Sequence, residues 1–323
     1  MARPTARPTA RPTARPTARP IALAGIGKIA RDQHIPAITA DPAWTLAATV
    51  SRNAGVDGVP AHAGMAEMLA AHPDIGTVSL ALPAGPRFGY AMAAMAAGRH
   101  VMLEKPPALG LAECHALERS ARDAGVCLFA TWHSRMAHGV EAARARLSGQ
   151  TIRKVQITWA EDVRQWHPGQ DWVWQAGGMG VMDPGINALS ILTRILHQPL
   201  RLTGGRFDIP AGRQTPIAAE LTFAHPHGAS VAASFDWRQQ GAQTWEITVE
   251  TTAEHLRLVD GGARLMVDGQ ETHAGPDREY PGLYRRMSQL VSEGQSDADF
   301  SPLVHVADAF MLAERRTVAP FDW

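Results

Sequence analysis

Ile21-Ala22-Leu23-Ala24-Gly25-Ile26-Gly27-Lys28-Ile29-Ala30 is the stretch on which the fold turns. Four apolar residues form a short buried-strand pattern and run without a spacer into Gly-x-Gly-x-x-Ala. Each small residue there has its own task. Gly25 permits a tight turn, Gly27 lets the backbone approach a pyrophosphate, and Ala30 lets helix and strand pack closely. Lys28 and Ile29 fall on the first turn of the helix that follows, whose N–H groups would face the phosphates. The pattern alone is often only a turn, and the preceding strand and following helix give it weight. Gly25, Gly27, Lys28 and Ile29 are accordingly expected to hold a dinucleotide.

Outward from this unit, strands and helices alternate. A second strand, 44–50, ends in Ser51-Arg52-Asn53. NAD enzymes place a carboxylate near this point for the ribose 2′-hydroxyl, whereas Ser51 and Arg52 leave room for a 2′-phosphate and a cation to neutralise it. NADP is therefore expected to be preferred, with NAD also accepted. The competing reading of Arg52 is a solvated surface charge. Helical patterns over 64–72, 87–97 and 111–124 separate apolar strands at 77–82, 100–103 and 126–131. Repeated strand–helix units imply a doubly wound parallel sheet, and Pro83, Lys105 and Trp132-His133 all fall at strand ends that should line one crevice.

The run through the strand at 100–103 and its exit, Gly98-Arg99-His100-Val101-Met102-Leu103-Glu104-Lys105-Pro106-Pro107, is unusual. Proline fixes its own φ and biases its predecessor away from helix, so Lys105 is held on a stiff loop. Open α/β sheets bind ligands at that end of their strands.

Beyond about residue 150 the pattern changes to runs of strands, at 153–160, 217–223, 230–237, 245–252 and 255–259, with few helices between them. This predicts an α+β half built on a large, mostly antiparallel sheet, one face of which must be covered by helices or by a second subunit. A symmetric homodimer is the expected assembly. Within this half, Gly177-Gly178-Met179-Gly180-Val181-Met182-Asp183-Pro184-Gly185-Ile186-Asn187 reads as a glycine cluster followed by a helix start. Asp183 is expected as N-cap and Pro184 at the first helical position. Asn187 lies four residues on, near the same face as Asp183.

Three segments follow: residues 1–19, a tail; 20–135, a dinucleotide-binding domain; and 136–323, a substrate and oligomerisation domain. The tail repeats Ala-Arg-Pro-Thr, which supplies no apolar face to bury, and it is read as extended and disordered. With 45% hydrophobic residues, 19% charged and zero formal net charge, the chain suits a globular protein of two domains. The neutral balance argues against nucleic acid or anionic lipid as partner. No apolar run is long enough to span a membrane. Cys114 and Cys127 suggest neither disulfide nor metal site, which fits the cytoplasm.

Together these motifs resemble the Gfo/Idh/MocA oxidoreductases: the Gly-x-Gly-x-x-Ala turn, the Glu-Lys-Pro loop after a Gly-x-His-Val strand, and the Gly-Gly block leading to Asp183. The resemblance extends from Pro20 to the C-terminus. It implies that Lys105 lies between nicotinamide and substrate, that the bond before Pro106 is often cis, and that Glu104 approaches the nicotinamide-side ribose. Many members carry histidine four residues after the aspartate and use it as base; this chain has Asn187, whose amide takes no proton at neutral pH. The block around Asp183, with Glu161-Asp162-Val163-Arg164 and Trp166-His167-Pro168-Gly169 upstream, looks like the L-arabinose/D-galactose 1-dehydrogenase branch. That implies oxidation of an anomeric C1 hydroxyl to a lactone by hydride transfer. Lys105 would stabilise the developing oxyanion, Asp183 would take the proton, and Asn187 would orient the sugar. Proton transfer to Lys105, with Asp183 positioning it, is the alternative. His133, Glu161, Trp166, His167 and Trp245 are implied as sugar contacts. Another sugar or polyol dehydrogenase, or a non-catalytic sensor, is the competing function.

Overall fold

In the computed structural model, which describes residues 18–323, the fingerprint strand feeds a six-stranded parallel sheet. Its members are β1 (Arg19–Ala24), β2 (Trp44–Val50), β3 (Ala61–His62), β4 (Thr77–Leu80), β5 (His100–Leu103) and β6 (Leu128–Ala130). They lie in the order β3-β2-β1-β4-β5-β6. Strand order therefore reverses beside β1, and the carboxyl ends of β1 and β4 open a crevice at that switch point. The predicted tail lies outside the described residues, apart from its last two. Arg19 corrects that boundary: it belongs to β1, pairs with Trp44, and donates to Ser288 O and Ser292 Oγ.

The helix after the fingerprint starts irregularly. Residues Ala30–His34 are π-helical before the α-helix Ile35–Ala40, and the Ile35 amide bonds Ala30 O. Pro36 has no N–H to return to the preceding turn, so the ladder changes register there.

The second sheet has nine strands: β7 (Ile152–Ala160), β8 (Arg201–Pro210), β9 (Ala218–Ala224), β10 (Ser230–Asp236), β11 (Thr244–Thr251), β12 (His255–Val259), β13 (Arg264–Val267), β14 (Gln270–His273) and β15 (Ala313–Val318). Their order is β14-β13-β12-β11-β7-β10-β9-β8-β15, and only β7–β10 and β8–β15 pair in parallel. Helices Val140–Leu147, Met182–Ile195 and Ser301–Leu312 pack on one face. There Val155, Ile157, Leu221, Phe223, Val231 and Phe235 are buried. The alternate residues, among them Gln156, Thr158, Thr222 and Ser234, stay polar and partly or fully exposed. This period-two alternation is what a sheet buried on one side requires.

The division at residue 135 does not hold in space. Helix Glu279–Glu293 returns from the second half to cover the first sheet, with Tyr280, Leu283, Tyr284, Met287 and Leu290 packed against Ile21, Leu23, Met102 and Phe129. Strands β8 and β15 were also not legible as strands in the sequence.

Candidate active site

Gly25 follows β1 with φ +89°, and a Cβ there would stand 2.4 Å from the Leu82 amide nitrogen. Only glycine brings the ends of β1 and β4 this close. A Cβ on Gly27 would meet nothing within 4 Å, so the turn is open on the side where a pyrophosphate would lie. Ala30 is fully buried, Ile29 is 38% exposed, and Lys28 is exposed and paired with Asp32. Ser51 closes β2 by donating its amide to His62 O, and Arg52 projects beside it into solvent. Pro83 is exposed at the N-cap of helix Ala84–Ala96. A tight turn, an open backbone face, a helix start and an exposed cation at the tip of β2 together fit a dinucleotide.

The Glu-Lys-Pro loop is gripped from inside. Arg87, on helix Ala84–Ala96 and 2% exposed, donates to the carbonyls of Leu82, Glu104 and Pro106. Burial pulls its guanidinium down to about 10, partly offset by the charge of Glu104. The Lys105–Pro106 bond is cis. Glu104 corrects an expectation: its carboxylate is turned into the protein rather than offered to a ribose. It accepts from the Tyr280 hydroxyl and the Lys105 amide, and His34 Nε2 stands 3.7 Å away. Burial alone would raise this carboxyl, but His34, His133 and Tyr280 hold it well below the usual range. Tyr284 extends the network, its hydroxyl donating to Ser79 Oγ at 3.2 Å and so accepting from His34 Nδ1 at 2.7 Å.

Lys105 Nζ crosses to the second half, 3.1 Å from Asp183 Oδ1 and 3.2 Å from Asp183 O. Asp183 is not the N-cap. Helix Met182–Ile195 begins two residues earlier than expected, with Val181 as N-cap and no side-chain cap bond. Its carboxylate is thereby freed for Lys105 and for His167, whose Nε2 lies 3.5 Å from Oδ2. The glycine cluster serves the protein's own backbone: Gly180 has φ +54°, and a Cβ there would sit 2.3 Å from Pro216 O. Asn187 is half-buried one turn beyond Asp183, and its side-chain amide makes no hydrogen bond among the described residues.

Glu161, 6% exposed at the end of β7, accepts from the Trp245 indole at 2.9 Å and the Trp237 indole at 3.2 Å. Burial raises its carboxyl to about 7; the two indoles oppose the rise, Asp183 adds to it and Lys105 opposes it. Trp166, 44% exposed, leans on Trp245 with ring centroids 5.6 Å apart. His167 is lowered from its ordinary value by burial, with Asp183 opposing, which favours neutral imidazole. His167, at the end of the short helix Val163–Trp166, thus places beside Asp183 an imidazole that Asn187 does not supply. His133 stacks on Tyr280 and holds Glu279 at 2.7 Å. Burial would lower it, but Glu279 prevails and raises it.

The structure thus brings Lys105, Asp183, Glu161 and His167 into one electrostatic cluster, with Asn187 a turn away. Arg87, His34, Tyr280 and Tyr284 escaped the sequence reading. One signal was present for two of them: the chain has three tyrosines, and two stand four apart on one helix.

Residues 19–131 match the oxidoreductase family GFO_IDH_MocA, with its NAD-binding Rossmann fold. The chain is 38% identical to the galactose 1-dehydrogenase of Pseudomonas fluorescens over 93% of its own length and 98% of that protein's. It superposes on the crystal structure of D-galactose-1-dehydrogenase from Rhizobium etli with a TM-score of 0.93 and 49% identity, covering 96% of this chain and all of that one. A 3-ketoreductase from Actinomadura kijaniata, crystallised with NADP and TDP-benzene, shares the fold at TM-score 0.81 and 18% identity, over 93% of this chain and 99% of that one.

Proposed function

Because the chain belongs to the Gfo/Idh/MocA oxidoreductase family, we propose that it is an NAD(P)-dependent aldose 1-dehydrogenase, oxidising the anomeric C1 hydroxyl of an aldopyranose such as D-galactose or L-arabinose to the lactone. The observation that carries this reading is the Lys105–Asp183 pair, 3.1 Å apart at the mouth of the dinucleotide crevice. A bound NAD(P) would supply the acceptor for the C1 hydride. The Asp183 carboxylate takes the C1 hydroxyl proton while Lys105 stabilises the oxygen as charge develops on it. His167 flanks the second oxygen of Asp183 and orients it. Asn187 presents an uncommitted amide to the ring hydroxyls, with Glu161 and His133 beside the same cluster. Trp166 offers an exposed aromatic face to the C–H side of a pyranose, supported from behind by Trp245.

Arg52, with no carboxylate next to it, supports NADP as the preferred cofactor and leaves NAD usable. Gly25, Gly27, Lys28, Ile29, Ser51 and Pro83 line the rest of its path. The polar open face of the nine-stranded sheet supports a symmetric homodimer. Two buried, free thiols support a reducing, cytoplasmic setting.

The test is a panel of aldoses, inositols and keto-sugars with NADP and with NAD, followed by absorbance of the reduced cofactor. Lactone formation from an aldose is the expected result. Turnover of a polyol or keto-sugar alone would place the chain elsewhere in the family. Cofactor binding without turnover of anything would make it a sensor.

A further inference from the structure

A separate concavity of about 450 Å³ is lined by none of the residues assigned above to sugar or cofactor. That is ample for a small organic molecule. Five arginines line it, Arg135, Arg194, Arg278, Arg285 and Arg286, against two carboxylate residues, Glu141 and Asp297. Three of them have carboxylate partners. Arg194 meets Glu141 at 2.6 Å, Arg135 meets Asp299 at 2.6 Å, and Arg286 reaches Asp297 only at 3.4 Å. The other two have none among the described residues. Arg278 uses only Nε, donating to Met136 O at 3.0 Å, and Arg285 makes no hydrogen bond or ion pair. Arg278 is the N-cap of helix Glu279–Glu293 and Arg285 lies about two turns into it, and both line the same cavity.

Like charges gathered on a concave surface repel one another: burial lowers Arg135, Asp299 and Asp297 oppose that, and Arg194 adds to it. Arginine's planar fork matches phosphate and carboxylate oxygens in pairs. Two uncompensated guanidiniums call for a ligand with at least two negative groups. We propose that this cavity is a second binding site, for a small organic anion carrying two or more phosphate or carboxylate groups.

The wall that would hold the anion also supports the loop of Lys105. Helix Glu279–Glu293 presents Arg285 and Arg286 to the cavity, while its first turn gives Glu279 to His133 and Tyr280 to Glu104. Anion binding itself does not depend on the sugar reading of the other site and can be measured apart from it.

The experiment is calorimetric titration of the full chain with pyrophosphate and, separately, with citrate, at fixed ionic strength and with NADP saturating so that the dinucleotide crevice is filled. One saturable site is expected for at least one of the two. Pyrophosphate alone would identify a phosphorylated ligand, citrate alone a polycarboxylate, and binding of both the shared chemistry. Arg285→Glu should weaken binding at least tenfold while leaving anion-free turnover unchanged, and Arg278→Gln should weaken it in the same direction. Absence of saturable heat at millimolar anion, an unchanged affinity in Arg285→Glu, or equal binding of acetate would overturn the proposal.

Discussion

Lys105 Nζ lies 3.1 Å from Asp183 Oδ1, although the two residues are 78 positions apart, one on the loop after β5 and the other in helix Met182–Ile195. The pair closes the crevice between the halves and places a cation and a carboxylate where one hydroxyl can meet both. Lys105→Ala should lower kcat by about 10²–10³-fold, the usual loss when one oxyanion donor is removed. Its cofactor affinity, measured by quenching of intrinsic fluorescence, should change little, because no fingerprint contact is lost. A variant that keeps its rate would remove Lys105 from the chemistry.

Glu161 supplies a pH signature. Burial raises its carboxyl from 4.5 to about 7, so between these values the folded chain holds a proton that the unfolded chain has released. Stability from this group is complete below about pH 4.5, falls as pH rises toward 7, and levels off above. The slope is at most about 1.4 kcal/mol per pH unit. Glu161→Gln keeps a hydrogen-bonding side chain without the titration, so its unfolding free energy should lack this decline. Urea denaturation of both proteins from pH 4.5 to 8 checks it, and parallel curves would refute the assignment.

Arg52 should discriminate between the two cofactors. A charge-assisted bond to the 2′-phosphate is worth about 1.5–3 kcal/mol, which corresponds to a loss of roughly tenfold to a hundredfold for NADP in Arg52→Ala. The Kd for NAD should scarcely move. Equal weakening of both would assign Arg52 to solvent.

Gly25→Ala tests the switch point. The added Cβ would stand 2.4 Å from the Leu82 nitrogen, and φ +89° is strained for alanine. The expected cost is about 3 kcal/mol, the upper end for overpacking. Thermal unfolding should show it, with loss of NADP binding at temperatures where the variant is still folded.

Arg87 should couple stability to rate. Its guanidinium serves the carbonyls of Leu82, Glu104 and Pro106, and no shorter side chain reaches all of them. Arg87→Gln should leave buried acceptors unpaired, at roughly 1–3 kcal/mol for each, and lower kcat more than it changes KM for NADP. Retention of kcat in a destabilised variant would show that Lys105 is positioned without it.

Much of the first half was legible because its signals are local. β2 runs from Trp44 to Val50, matching the sequence reading, and helix Leu111–Asp123 differs from it by one residue. Strand β8 was illegible because Gly204 and Gly205 break its apolar alternation, and β15 because Glu314, Arg315 and Arg316 read as a solvated run. Asp183 misled in an instructive way. Asp-Pro is a strong helix-start signal, yet the helix starts two residues earlier and leaves the carboxylate for Lys105 and His167.

The sequence by itself determined the dinucleotide half, the Glu-Lys-Pro loop and the pairing of Asp183 with Asn187 on one helix face. Each depends on residues within a few positions of one another, where backbone sterics and helical period act directly. Only the tertiary structure decided that His167 stands beside Asp183, that Glu161 is buried between two indoles, and that helix Glu279–Glu293 returns to hold Glu104. Those contacts join segments separated by 16 to 176 residues, and their energies come from burial and exclusion of water, which no local pattern encodes.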